Sequence, residues 1–293
     1  MSDNQEKRVL PPIVKPKRNI EITQTVQPTE TDFDKPASEL LFRAVGLIPG
    51  VVEFSEDKKS ASVTVSGNKY PLSYIGTSKG LKTFDALKIC IKNSGNNNQR
   101  LIVYPKILHF PERNKPHIIG FQLVGFDTGN NEGMFQELQD FQFKLSGIWQ
   151  FIPVCQVPCI SVFKNFTQDR LEFVKKSDIT KRVNFMKASH LPLFWKDALV
   201  LPFRFNPKAP KEQQGRPYFV SIIAKFLPYK NAFGFESLAQ MPLLEAPKFL
   251  KASKKMKAEA LSLRKGEVAP QKEATTDGSK FTMPVKRNKA DCN

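Results

Sequence analysis

A mainly β protein built from two tandem small barrels is what this chain predicts, and three pairs of landmarks predict it. Phe42-Arg43-Ala44-Val45-Gly46-Leu47 and Phe143-Lys144-Leu145-Ser146-Gly147-Ile148 share one order: Phe, basic, two variable residues, Gly, aliphatic. Val103-Tyr104-Pro105 is echoed by Val200-Leu201-Pro202, and Lys115-Pro116-His117-Ile118-Ile119 by Arg216-Pro217-Tyr218-Phe219-Val220. The offsets are 101, 97 and 101 residues, and spacing that constant reads as a duplicated module.

The elements of the first module, residues 38–130, follow in order. Leu41 to Phe54 is a long apolar stretch broken by Gly46, Pro49 and Gly50, which suits a strand bent by glycines. Ser60 to Ser66 alternates strictly, with Val63 and Val65 on one face. Gly67-Asn68 supplies a turn and Lys69 to Ile75 returns as the second arm of a hairpin. Leu81, Phe84, Leu87, Ile89 and Ile91 lie among lysines and predict a helix, ended by Asn93-Ser94-Gly95. Arg100 to Leu108 and His117 to Phe126 close the module as two strands. The order β-β-β-α-β-β is that of the OB-fold, a five-stranded, partly open barrel.

In the second module, residues 139–245, Phe141 to Ile152 and Val157 to Phe166 read as strands. Arg170 to Lys176 and Arg182 to Ala188 read as further strands or a loop and a strand. Leu191 to Ala198, holding Trp195, reads as a short helix. Leu199 to Phe205 and Tyr218 to Leu227 then finish the barrel, and Phe233-Gly234-Phe235 adds a strand. Pro207 to Gly215 is a polar loop.

Both ends differ in character. Residues 1–37 mix Lys-Arg clusters with Pro, Thr and acids, without a period, and predict a flexible arm. Over 246–265, Phe249, Ala252, Met256, Ala260 and Leu263 recur at helical spacing among lysines, predicting a basic amphipathic helix that packs on the last barrel. Residues 266–293 read as a disordered tail.

The charge balance bounds the function. With 45 Lys+Arg against 28 Asp+Glu, the net charge of the 293 residues is +17. Residues 1–37 are neutral, residues 246–293 carry +7, and the barrel region between them keeps +10. A surface of that sign attracts polyanions through counterion release, whatever their sequence. No run of about 18 apolar residues exists, so a membrane-spanning helix is not expected. The polar, acidic start carries no secretory signal and the four cysteines form no disulfide framework, which together point to the cytoplasm.

The sequence contains no Walker A, no G-x-G-x-x-G and no nucleophile elbow. Cys155 and Cys159 are spaced C-x3-C without a second ligand pair, and His109, His117 and His190 are scattered. Read as a strand, Pro153 to Ile160 puts both cysteines on one side, as core residues. No metal, no cofactor and no catalytic residue is implied, and the expected protein is not an enzyme.

The binding signal is stronger. Lys164, Arg170, Lys175, Lys176, Lys181, Arg182 and Lys187 interleave with Phe166, Phe173 and Phe185. In an OB-fold this segment would form strands two and three, the usual oligonucleotide face, where cations follow the backbone and rings stack bases. Arg204, pointing outward between inward Phe203 and Phe205, and Lys225 join the candidates. In the first module, Tyr104 and Lys106 share a strand face. The expected partner is single-stranded RNA or DNA; an acidic protein partner is the alternative.

Phe42-Arg43-Ala44-Val45-Gly46, Leu101 to Lys106 and Phe121 to Gly125 also resemble a family of cyanobacterial proteins of unknown function, over roughly residues 39–240. The resemblance implies a bacterial cytoplasmic setting and transfers no functional residue.

Overall fold

The computed structural model describes residues 40–56, 60–74, 76–112, 115–129 and 133–267. The expected arm, Lys58, Lys59 and all of the tail beyond residue 267 lie outside them.

In the first module β1 (Arg43–Phe54), β2 (Ala61–Val65) and β3 (Asn68–Tyr74) form a meander. Val63 and Val65 are buried as their alternation requires. Ser66 and Gly67 both have positive φ, the conformation a tight two-residue hairpin turn demands. Helix α1 (Ser78–Ser94) starts where the Thr77 hydroxyl accepts the Gly80 N–H, and stops at Gly95, which is left-handed at φ 65°. It buries Phe84, Leu87 and Ile91 and leaves Leu81 and Ile89 exposed. β4 (Asn98–Leu108) and β5 (Ile118–Phe126) complete the set. β1 pairs with β2, β2 with β3, β3 in parallel with β5, β5 with β4, and β4 again with β1. The ring is a closed five-stranded barrel, and the protein is mainly β.

A short helix α2 (Met134–Glu137) leads to β6 (Gln142–Gln150). β7 (Cys159–Val162) and β8 (Lys164–Asn165) follow, then α3 (Gln168–Lys176), α4 (Ile179–Phe185) and β9 (Ser189–Phe194). β10 (Tyr218–Leu227), β11 (Ala232–Leu243), β12 (Phe249–Leu250) and α5 (Lys254–Glu267) end the described chain. Here β6 pairs with β7, β7 with β9, β9 in parallel with β11, β11 with β10, and β10 with β6. The parallel step falls between the third and last strands, as it does in the first barrel.

Several expected elements differ. Arg170 to Lys176 and Arg182 to Phe185 are helical, because Thr167 and Asp178 accept backbone N–H groups and start α3 and α4. Leu191 to Phe194 is strand, not helix: Leu191, Pro192 and Leu193 are buried on both faces of β9. Trp195 lies just beyond it, stacked on Phe235 at 4.5 Å. Residues 199–205 form no strand beyond a bridge from Phe203 to Gln150, and Phe205 is exposed rather than inward. Cys155 sits in a loop and only Cys159 is on a strand. Phe249 belongs to β12, paired with β8, and α5 packs on the α3–α4 side: Leu250, Ala252 and Met256 meet Val174 and Met186.

Of the three repeated landmarks, the topology supports the first. Val103 lies opposite Gly46, and it is Val220 that lies opposite Gly147. The strand equivalent to β4 is therefore β10, and Val200-Leu201-Pro202 is loop. The repeated glycines are explained by close approach. A Cβ on Gly46 would lie 2.3 Å from the Phe143 ring, and one on Gly147 would lie 2.6 Å from the Ser161 carbonyl oxygen.

The barrels share one sheet and one core. β1 pairs antiparallel with β6: Arg43 with Ser146, Ala44 with Leu145, Val45 with Lys144. The motif offset of 101 residues carries Ala44 onto Leu145, so the register of this ladder is symmetric about the Ala44–Leu145 pair. Phe121 stacks on Phe143, and Tyr70, edge-on to Phe226, donates its hydroxyl to Asn231 Oδ1 at 3.0 Å. Among the described residues no helix is long and apolar enough to cross a membrane.

Candidate functional site

Where the two barrels meet, an open cleft of about 920 Å³ runs between β4–β5 of the first and β7–β8, α3, α4 and β9 of the second. Its floor is apolar. Phe42 and Phe163 line it, and behind them Phe219 and Phe249 complete a ring cluster: Phe42 meets the other three edge-on at 5.2 to 5.6 Å, and Phe163 lies tilted on Phe249 at 4.4 Å. Its walls are cationic: Arg43 from β1, Lys106 from β4, Lys164 from β8, Arg170 from α3 and Lys187 before β9. No lining residue is Asp or Glu. None of the five cations pairs with a carboxylate among the described residues.

Local structure places these charges firmly. Asn165 on β8 is held by its side chain to Phe42, and its carbonyl accepts from Arg170 Nη1 at 2.9 Å. Lys164 is thereby aimed into the cleft beside Arg170. Desolvation, and then the Arg170 charge, lower the Lys164 pKa; desolvation, and then the Lys164 charge, lower that of Lys106. Both shifts mean that the lysines stand in a positive potential with too little water and no counter-charge. The Ser189 hydroxyl, also on the lining, is buried with no hydrogen-bond partner among the described residues. The site thus offers cations to an anion. Tyr104 presents a ring at the same wall, 37% exposed.

The expected residues divide three ways. Lys164, Arg170, Phe185 and Lys187 come together in the cleft. Lys175, Lys176, Lys181 and Arg182 lie on α3 and α4, outside its lining, and two of them are engaged there. Arg182 donates to the carbonyls of Ser177 at 2.6 Å and Lys175 at 2.7 Å, closing the end of α3, while Lys181 pairs with Asp178. Phe166 and Phe173 are exposed beside these helices, Phe173 against Phe185 at 4.9 Å. Arg204 and Lys225 are not on the cleft; Arg204 covers the Phe151 ring at 4.2 Å. The expected strand-two and strand-three face does not form, because the segment folds as helices. Arg43 was missed, although it holds the basic position of the repeated motif, and Ser189 carries no sequence signal.

Comparison with protein-family models, with curated proteins and with solved structures gives no match for the chain.

Proposed function

We propose that the protein is a non-catalytic, cytoplasmic binder of single-stranded RNA or DNA with low sequence specificity, built on tandem OB-like barrels. The observation that carries this reading is the acid-free cleft, where Lys106, Lys164 and Arg170 crowd together without a counter-ion. A phosphate backbone supplies the missing charge at regular intervals, and its binding releases counterions. The β-β-β-α-β-β order and closed ring of the first barrel support the OB-like description, and the second ring repeats its pairing scheme. Tyr104 offers a face for a base. A groove walled on both sides suits an extended strand better than the flat patch a folded acidic protein would need.

Fluorescence anisotropy with labelled single-stranded RNA, single-stranded DNA and duplex DNA across a salt series tests the reading. Tighter binding of a single strand, with a linear log–log salt slope, is expected. Equal, weak binding of all three overturns it and turns attention to acidic protein partners.

A further inference from the structure

All three histidines of the chain and two of its four cysteines converge beside the second barrel, although they are scattered in sequence. His109 follows β4. Its Nε2 lies 2.7 Å from the His190 carbonyl oxygen. A carbonyl oxygen only accepts, so Nε2 carries the hydrogen and Nδ1 is left as the basic nitrogen. The sulfur of Cys155 lies against this ring, 3.6 Å from Nδ1 and 3.7 Å from Nε2, and Nδ1 is the nitrogen free to take its proton. His117 flanks His109 with ring centroids 5.4 Å apart. The His190 ring is engaged elsewhere, its Nδ1 2.9 Å from the Ser161 hydroxyl, which also accepts from Gln150 Nε2.

The second sulfur stands behind the first. Cys159, fully buried at the start of β7, four residues from Cys155, lies close enough for the two thiols to shift each other's ionisation. Its sulfur is also 3.4 Å from the Gln150 carbonyl oxygen, an acceptor that favours the protonated thiol. Cys155 is half-buried in a loop, open to a small reagent.

We propose that Cys155 is a nucleophilic thiolate activated by His109, that it reacts with small hydroperoxides, and that Cys159 is its resolving thiol. The geometry is that of a thiol beside a base which a third group orients. The proton of Cys155 passes to Nδ1. The thiolate attacks the terminal peroxide oxygen, an S–O bond forms, the O–O bond breaks, and the leaving alkoxide takes the proton from His109 as an alcohol. Sulfur loses two electrons and the peroxide gains them, leaving a sulfenic acid. The Cys159 thiol then attacks that sulfur, an S–S bond forms, and the hydroxyl leaves with the Cys159 proton as water. The product is a stoichiometric mark on the protein, and it does not rest on the nucleic-acid reading.

Electrostatics agree with these roles. The neighbouring Cys159 first, helped by His109 against burial, brings the Cys155 thiol down to about 5. The same contact, with burial, pushes Cys159 upward. Burial pulls His109 down, but its bonds to Cys155 and to the His190 carbonyl raise it overall, against the nearby charge of Lys187.

The test uses the full chain. Iodoacetamide at pH 6 should alkylate Cys155 roughly ten-fold faster than Cys90, the gain in thiolate fraction being partly offset by the lower nucleophilicity of a low-pKa sulfur. Hydrogen peroxide followed by peptide mapping should then reveal a Cys155–Cys159 disulfide. In Cys159→Ser the sulfenic acid on Cys155 should persist and be trapped by dimedone, and His109→Asn should slow alkylation at pH 6. Alkylation of Cys155 no faster than of Cys90 overturns the activation. Fast alkylation without a disulfide overturns the resolving role. Both readouts stand on the wild-type chain, so neither depends on a variant folding.

Discussion

The side chain of Asn165 serves Phe42 as a one-residue strand partner. Phe42 N–H donates to Asn165 Oδ1 at 2.7 Å, and Asn165 Nδ2 donates to the Phe42 carbonyl at 2.9 Å. Phe42 stands at the entry to β1, just before the edge passes to β6 at Arg43. A backbone that would otherwise end unpaired inside the cleft floor is thus closed from the second barrel.

Replacing Asn165 by Ala leaves both Phe42 groups without a partner, and a buried unsatisfied group costs about 1–3 kcal/mol. Urea unfolding of Asn165→Ala should show a lower midpoint with an unchanged slope. A midpoint equal to wild type would mean that water replaces the carboxamide.

Gly46 and Gly125 make a matched pair for packing. A Cβ at Gly46 meets the Phe143 ring and the Gln142 carbonyl oxygen at 2.3–2.4 Å, whereas one at Gly125 first meets Ile102 at an ordinary 3.5 Å. Gly46→Ala should therefore lose about 3 kcal/mol or more, the upper range of overpacking, because backbone must move. Gly125→Ala should stay within about 1 kcal/mol. Thermal melts of the two side by side check the contrast.

Lys106 and Lys164 should trade binding against stability. Changing both to Ala removes two cations that burial and mutual repulsion already disfavour, so the melting temperature should hold or rise. Affinity for single strands should fall, with the salt slope flattened by about 0.7 per lost phosphate contact. Lys175→Ala with Lys176→Ala, on the exposed end of α3, should change both quantities less. The anisotropy titrations already described provide the readout.

His190 makes stability depend on pH. Burial first, then the charges of His109, Lys187 and Lys257, lower its pKa to about 4. Its ordinary value is about 6.5. Between those values the unfolded chain binds more protons than the folded one, so stability is present above about 6.5 and is lost as pH falls towards 4. The raised His109 works in the opposite sense. Urea midpoints at pH 7 and pH 5 should therefore differ less in His190→Asn than in wild type. An equal or larger difference in the variant would show that His190 does not carry the effect.

The first barrel was legible because its signals are local. Val63 and Val65 alternate and Gly95 stops α1, each within a few residues; the turn expected at Gly67-Asn68 falls one residue earlier, at Ser66-Gly67, because Asn68 already pairs in β3. The second module was harder for two physical reasons. Its inserted helices α3 and α4 are short and carry basic and aromatic residues on exposed faces, so no apolar period marks them. Only their caps, Thr167 and Asp178, betrayed them. β9 is buried on both faces and so lost its alternation. The cleft was half legible. Lys164, Arg170 and Lys187 stood out as a cluster, but Arg43 and Lys106 arrive from the other barrel through tertiary packing alone. His109 and Cys155, 46 residues apart, meet for the same reason.

The ladder between β1 and β6 has a further consequence. A pairing in which Ala44 and Leu145 face each other and exchange under the repeat is of the isologous kind that two-fold homodimers use. In a true dimer such a contact would dissolve on dilution. Here the segment from Asp127 to Phe141 tethers the halves, so the second copy is always present at a local concentration fixed by that short linker. The two halves are a pair that dilution cannot separate, and the cleft between them persists however scarce the protein is.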